Sequence, residues 1–223
     1  MKIIDLFEKI HSLIVDFIFP TRCEMCHQPI KYPNHWCENC LPKILNVHRI
    51  QKSKSVDYAI AVSNYRSGTR ELIRNIKFHL HRRQILSAEN LLELAFKNSE
   101  ALRKLLSAQN LVAVPVPLFP EKEKLRGFNQ SEIIFKNWLK SHGIEMKNSL
   151  KRVVDTKPNF DLSKEEREKN LQNAFEVVDD IRGKNILIVD DIFTTGATIS
   201  ECSKVLKSIG ANKIFVLVLA SDY

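Results

Sequence analysis

One stretch of the sequence decides the fold: Ile186-Leu-Ile-Val-Asp190-Asp191-Ile-Phe-Thr194-Thr195-Gly196-Ala-Thr198. Its uninterrupted apolar start predicts a strand buried on both faces, as in parallel sheets that are covered by helices. A helix is predicted directly afterwards, over 197–209. Because ligands of open α/β sheets bind beyond the carboxyl ends of the strands, the turn between the two elements is the predicted ligand site.

The residue types in this turn indicate the ligand. A helix N-terminus offers free N–H groups that favour a phosphate, three threonine hydroxyls add donors, and Gly196 permits close approach of the backbone. Asp190 and Asp191 would repel a phosphate, so their expected partners are sugar hydroxyls and a divalent cation. A ribose phosphate with Mg²⁺ satisfies both requirements.

The rest of the chain alternates between strand and helix patterns. Two or three helices are predicted over 69–108, a turn at Gly68 and a further helix over 131–142. The other predicted strands are 57–65, 111–117, 175–178 and 214–220. This order predicts an α/β fold, a parallel sheet with helices on both faces.

Composition excludes some classes of protein and leaves others open. Of 223 residues, 44% are hydrophobic and 6 are glycine, which excludes collagen-like and low-complexity chains. The formal net charge of +8 makes an anionic partner plausible: nucleic acid, a phosphorylated metabolite or a lipid surface. Solvated basic faces remain the alternative.

Four of the five cysteines form two C-x-x-C pairs, Cys23/Cys26 and Cys37/Cys40. Their spacing predicts one structural, tetrahedral Zn²⁺ site without an open position for catalysis. Cys202 is expected to be a small core residue. Unpaired thiols favour a cytoplasmic protein.

The beginning of the chain is apolar at helical spacing but interrupted by charges, so it predicts an amphipathic helix and no membrane span. Packing of this helix on the body is preferred, and peripheral membrane contact stays open. The predicted organisation is a helix over 1–19, a zinc-ribbon module over 20–50 and a main domain over 51–223.

The stretch quoted first resembles the phosphoribosyl-pyrophosphate (PRPP) signature of type I phosphoribosyltransferases. The resemblance implies that Asp190 and Asp191 contact the ribose hydroxyls. It also implies that Thr194, Thr195, Gly196, Ala197 and Thr198 cradle the 5′-phosphate, and that Ile192 and Phe193 belong to the same PRPP-binding segment.

Further segments are similar to the ComF family of natural competence: Tyr65-x-x-Gly68, Ile76-Lys-Phe78, Val114-Pro-Val-Pro117, Arg126-Gly-Phe-Asn-Gln130 and Arg152-x3-Thr156, with Leu162, Arg167, Asn170 and Ala174-Phe175 after it. The resemblance, which includes the cysteine pairs, implies PRPP binding and the handling of single-stranded DNA during transformation. It implies partners of the helicase or channel type.

The same resemblance assigns further roles. Residues 117–123 would form the pyrophosphate loop, with Arg126 and Gly127 opening the next helix. Residues 152–170 would form a mobile hood with polar contacts from Arg152, Thr156, Arg167 and Asn170, and Lys77 would be a further cation. Asp190, Asp191, Lys77 and Arg152 are the catalytic candidates. Asn159, Glu121 and Glu123 depart from the family's usual glutamine and basic residues.

Three functions remain open: a PRPP- and DNA-binding competence protein, a phosphoribosyltransferase with a small-molecule acceptor, and a zinc-ribbon adaptor with a vestigial site. The candidate DNA patch could equally be a solvated helix face. Trp36 and Tyr32 are its candidate stacking residues. The patch comprises Arg66, Arg70, Arg74, Arg82 and Arg83, with Lys77, His79 and His81.

Overall fold

A computed structural model describes residues 22–30, 36–50, 53–79, 82–155 and 170–222. The predicted helix over 1–19 and most of the predicted hood, with Thr156 and Arg167, lie outside the described residues, as does Tyr32. The elements, in chain order, are α1 (Leu41–Ile44), β1 (Leu45–Arg49), β2 (Tyr58–Asn64), α2 (Ser67–His79), α3 (Arg82–Asn98), α4 (Glu100–Leu106), β3 (Leu111–Pro115), α5 (Pro120–Arg126), α6 (Gln130–Ser141), β4 (Glu145–Met146), β5 (Leu150–Arg152), β6 (Phe175–Val177), β7 (Asn185–Phe193), α7 (Ala197–Ser208) and β8 (Ile214–Ser221).

The main sheet has six strands in the order β1-β2-β8-β7-β3-β4. All neighbouring pairs are parallel except β1 and β2, which are antiparallel. The predicted α/β fold with a parallel sheet is confirmed. The carboxyl ends of β2, β8, β7 and β3 share one edge, which is where a ligand site is expected.

Each face of the sheet carries its own core, which explains the uninterrupted apolar strands. In β7, Leu187 and Val189 pack into a cluster with α2, α3 and α6. The alternate residues Ile186 and Ile188 pack into a second cluster with α7 and β6. Because successive strand side chains point to opposite faces, the stretch 186–189 is covered on both sides and carries only apolar side chains.

Several elements differ from the sequence predictions. The turn predicted at Gly68 is wrong, because this glycine lies in the first turn of α2. The strand predicted over 175–178 exists as β6, but it pairs with β5 in a separate two-stranded sheet. Both β strands of this small sheet are three residues long, too short to produce a periodic pattern.

The division at 1–19, 20–50 and 51–223 stays a prediction. Within the described residues, β1 belongs to the segment 20–50 but pairs with β2 of the main sheet. Cys23, Trp36 and Cys40 are buried in the same core cluster as α2. None of the helices in the described ranges combines the length and apolar composition needed to cross a membrane.

Candidate phosphoribosyl and metal sites

The acidic pair lies within β7, because the strand continues past its predicted end at Val189 as far as Phe193. Asp190 and Ile192 remain in register with Val218 and Ala220 of β8. Both aspartates are buried, Asp191 with 3% of its surface exposed. The parallel ladder therefore fixes two carboxylates at the carboxyl edge of the sheet.

Asp190 is held by groups that donate to one of its oxygens. The Ser131 hydroxyl donates to Oδ1 over 2.7 Å, and the backbone N–H of Asp191 donates to the same atom over 2.9 Å. Burial, and then the neighbouring charge of Asp191, raises the pKa of Asp190. A cation bound beside the pair would favour its charged form.

Asp191 contacts a cation and an amide. The Lys77 ammonium lies 2.5 Å from Oδ2, and Gln130 Nε2 donates to Oδ1 over 3.2 Å. Arg126 in turn donates to Gln130 Oε1. A connected network thus joins α2, α5 and α6 to the acidic pair.

The turn after β7 presents the N-terminus of α7. Gly196 caps this helix with a φ of 77°, a left-handed conformation that suits glycine. A Cβ added here would lie 2.5 Å from Cζ of the buried Phe193 ring. Both the backbone conformation and the Phe193 ring therefore require glycine at position 196. The first N–H groups of α7 lie at the same edge of the sheet as the acidic pair.

The predicted pyrophosphate segment takes a different form from the one expected. Residues 116–119 are irregular, but Pro120 to Arg126 form α5. The expectation that Arg126 and Gly127 open the following helix is wrong, because Arg126 ends α5 and Gly127 is its C-cap. The next helix begins at Gln130, where the Asn129 side chain caps it by accepting from the Ser131 N–H.

A cavity of about 440 Å³ lies between this segment and β5. Its walls contain Pro117, Glu121, Glu123 and Arg152. Arg152 is half-buried, and burial lowers the pKa of its guanidinium, while the charge of Asp190 acts in the opposite direction. Asn170 is described, at the start of the segment leading to β6, and its predicted role stays a prediction.

The two C-x-x-C pairs converge. The Sγ atoms of Cys23, Cys26, Cys37 and Cys40 all lie within 4.8 Å of one another. Burial would raise the pKa of Cys23, but backbone N–H groups of Cys37, Cys26 and Met25 lower it to about 7. Four thiolates at this separation fit a tetrahedral metal ion. Cys202 is fully buried, as expected of a core residue.

The cysteine cluster packs against α2 and α3. A Cβ at Gly68 would lie 2.8 Å from Cβ of Met25, so glycine permits this close approach. Trp36 Nε1 donates to the carbonyl of Ser87 over 3.4 Å. Trp36 is 5% exposed, and the expectation that it stacks on a base is wrong.

The candidate DNA patch divides into two sets. Arg66, Arg70 and Arg74 are exposed along one side of α2. Arg82 is also exposed, at the start of α3, whereas Arg83 donates to the carbonyl of Arg22 and pairs with Glu24. Arg83 therefore connects α3 to the cysteine segment.

Sequence reasoning missed Gln130 and Ser131 as contacts of the acidic pair. Gln130 is the last residue of the Arg126-Gly-Phe-Asn-Gln130 motif and Ser131 follows it directly, and this position was the available signal. The paired carboxylates fit Mg²⁺, a hard cation that prefers oxygen ligands. In the described part of the chain, the structure brings Asp190, Asp191, Lys77 and Arg126 together in one network.

Comparisons with known proteins find similar chains. A family model described as the phosphoribosyl transferase domain matches residues 139–222. Competence protein F of Haemophilus influenzae is 28% identical over 204 residues, 89% of this chain and 83% of that protein. A hypoxanthine phosphoribosyltransferase of Staphylococcus aureus aligns over 81% of this chain and 69% of that chain, with 15% identity and a TM-score of 0.35.

DNA utilization protein YhgH of Escherichia coli is 30% identical over 203 residues, which cover 89% of this chain and 83% of that protein. The match therefore covers most of both chains. The chain belongs to the ComF family.

Proposed function

We propose that this protein binds PRPP with Mg²⁺ and handles single-stranded DNA in natural competence. One observation carries the first part: two buried carboxylates lie near the carboxyl end of a parallel strand, and a left-handed Gly196 then opens a helix N-terminus. Carboxylates suit ribose hydroxyls and a cation, and helix N–H groups suit a phosphate. PRPP with bound Mg²⁺ supplies the ribose hydroxyls, the cation and the phosphate.

The residues divide the work of binding. The first turn of α7 and the hydroxyls of Thr194, Thr195 and Thr198 would hold the 5′-phosphate, and Asp190 and Asp191 would accept from the ribose. When bound, Mg²⁺ would neutralise charge on the pyrophosphate. Ser131 and Gln130 hold the two carboxylates in position over 2.7 and 3.2 Å.

Ligand-dependent stabilisation tests this proposal. A ligand that binds the folded state alone raises the melting temperature. PRPP with Mg²⁺ should raise it more than ribose 5-phosphate or pyrophosphate with Mg²⁺, because it engages both halves of the site. Equal shifts with pyrophosphate alone would contradict the assignment of the ribose contacts.

The DNA part rests on the relatives and on charge. Two of the relatives are named for competence and for DNA utilization. The chain has a net charge of +8, and Arg70 and Arg74 of α2, with Arg66 just before it, are exposed on one side. Binding to a single-stranded oligonucleotide should weaken steeply as salt rises, since each neutralised phosphate releases counterions.

We propose Zn²⁺ for the cysteine cluster. Four sulfur ligands within 4.8 Å leave no place for water, so the role is structural. Metal analysis of the purified protein should find about one zinc per chain.

The cavity beside α5 favours a second candidate function, phosphoribosyl transfer to a small acceptor. Its volume of about 440 Å³ suits a small ring compound. Pro115 lines this cavity and pairs with Val189, the residue before Asp190, so an acceptor here would lie near the ribose. Release of pyrophosphate from PRPP upon addition of free bases or amines would demonstrate transfer, and no release with any acceptor would favour binding alone.

A further inference from the structure

Helix α2 exposes a regular row of four side chains: Arg66, which lies just before the helix, then Arg70, Arg74 and Phe78. Successive members are four residues apart, so they form one ridge with a rise of about 6 Å per step. The Arg66 carbonyl accepts from the N–H groups of Thr69 and Arg70, which places Arg66 in the first turn. These four residues are called the α2 ridge below.

The charges of the α2 ridge are not neutralised by neighbours. Across the described ranges, none of its three guanidinium groups forms an ion pair. Glu71 is the acidic residue of α2, and it lies 3.9 Å from His27 of the cysteine segment. Lys77, by contrast, is paired with Asp191. The ridge is therefore a strip of positive charge that faces solvent.

Phe78 gives this strip an unusual end. Its side chain is 70% exposed, although burial of an aromatic ring is strongly favoured. An exposed ring beside cations provides what single-stranded nucleic acids bind, since bases stack on aromatic faces while arginines contact the backbone. A duplex keeps its bases stacked internally and cannot use Phe78 in this way without unpairing.

We infer that the α2 ridge is a track for single-stranded nucleic acid, with the backbone along the arginines and one base stacked on Phe78. The inference rests on the proposed handling of single-stranded DNA and specifies its surface. The track runs from Arg66, close to Gly68, which approaches Met25 of the cysteine segment, to Phe78, the residue after Lys77. A bound strand would therefore end beside the phosphoribosyl site.

Fluorescence anisotropy with a labelled oligothymidylate tests the track. Phe78→Ala should weaken binding roughly tenfold, and Phe78→Trp should retain it, because stacking needs an aromatic face and no specific base. Arg70→Gln with Arg74→Gln should weaken binding and reduce the salt dependence by about two phosphate contacts. Leu125→Ala, at an 89% exposed apolar residue of α5, and Lys140→Gln, at an exposed lysine of α6, are the matched controls and should bind normally.

Photocrosslinking distinguishes direct contact from an indirect effect. An oligonucleotide with 5-iodouracil should crosslink to the peptide that contains Phe78. Crosslinks elsewhere, with unchanged affinity of Phe78→Ala, would overturn the track while leaving single-stranded DNA binding intact. Absence of oligonucleotide binding by the unmodified protein would overturn both, as would ridge-dependent binding of anionic phosphatidylglycerol vesicles without oligonucleotide binding.

Discussion

Lys77 and Asp191 form a partly buried ion pair, with Nζ 2.5 Å from Oδ2 and side-chain exposures of 24% and 5%. The pair joins the end of α2 to the acidic strand β7, and so connects the helix of the proposed DNA track to the proposed PRPP site. Removing one partner of such a pair leaves an uncompensated charge, which costs more than the pair itself contributes.

A double-mutant cycle measures this connection. Lys77→Met and Asp191→Asn should each lower the free energy of unfolding, and the double variant should be less destabilised than the sum of the two. The coupling energy from urea denaturation should be about 1–3 kcal/mol. Strictly additive effects would show that the contact does not contribute to the folded state.

Gly196 should tolerate no side chain. The Cβ in Gly196→Ala would meet Cζ of Phe193 at 2.5 Å, so the ring or the turn must move, and PRPP binding should be lost. Gly143→Ala is a matched control, because Gly143 also has a positive φ, of 73°, but nothing within 4 Å of an added Cβ. Both variants should lose about 1 kcal/mol of stability from the strained backbone, and PRPP calorimetry should distinguish them. Normal PRPP binding by Gly196→Ala would contradict the assigned turn.

Metal removal should destabilise helix α2 as well as the cysteine segment. Cys23, Cys40 and Trp36 share a core cluster with Leu72 and Ile76 of α2, so loss of the metal should loosen α2. Cys37→Ser should lose bound zinc and lower the melting temperature by several degrees. Cys202→Ala truncates a buried thiol far from the cluster in sequence and should keep one zinc per chain. Full stability in metal-free Cys37→Ser would contradict a structural role.

Acid should selectively release a contact between α3 and α6. Burial would raise the pKa of Glu93, but the Trp138 N–H over 3.1 Å and the charges of Lys97 and His142 lower it below 4.5. A lowered carboxyl pKa stabilises the folded state above the unfolded-state pKa, and this stabilisation is lost as pH falls through the folded-state pKa. Glu93→Gln should therefore be destabilised at pH 7, by about 1 kcal/mol, and the difference should vanish in acid.

Thermal melts of the unmodified protein and of Glu93→Gln, from pH 7 down to acidic pH, check the prediction. Glu145→Gln, at an exposed glutamate that pairs with Lys147, should differ little from the unmodified protein at any pH. A destabilisation of Glu93→Gln that persists in acid would show that the Glu93 charge is not its cause.

The sequence predicted the features that local pattern encodes. The apolar run before Asp190 sufficed for a doubly covered parallel strand, and the C-x-x-C spacing sufficed for convergent thiols. The turn and the helix after it followed from Gly196 and its neighbours. In each case the residues that determine the structure are adjacent along the chain.

The sequence predictions that were wrong concern residues whose environment depends on contacts between distant segments. Trp36 reads as a free aromatic in a turn-rich segment, but Ser87 of α3 and the approach of Gly68 bury it. Gly68 was predicted to form a turn, but it lies in a helix, where its lack of a side chain allows Met25 to pack closely. The Lys77–Asp191 pair joins segments of different secondary elements, and no periodicity reports such a pair.

Titration calorimetry with PRPP and Mg²⁺ is the direct test of the proposed ligand contacts of Asp190 and Asp191. The control is a second adjacent pair, Asp179 and Asp180, which bonds to Ser149 and Arg182 outside the site. We expect binding by the unmodified protein and by Asp179→Asn with Asp180→Asn, and loss of binding in Asp190→Asn with Asp191→Asn. Equal PRPP affinity in both double variants, or no binding by the unmodified protein, would contradict the proposed contacts.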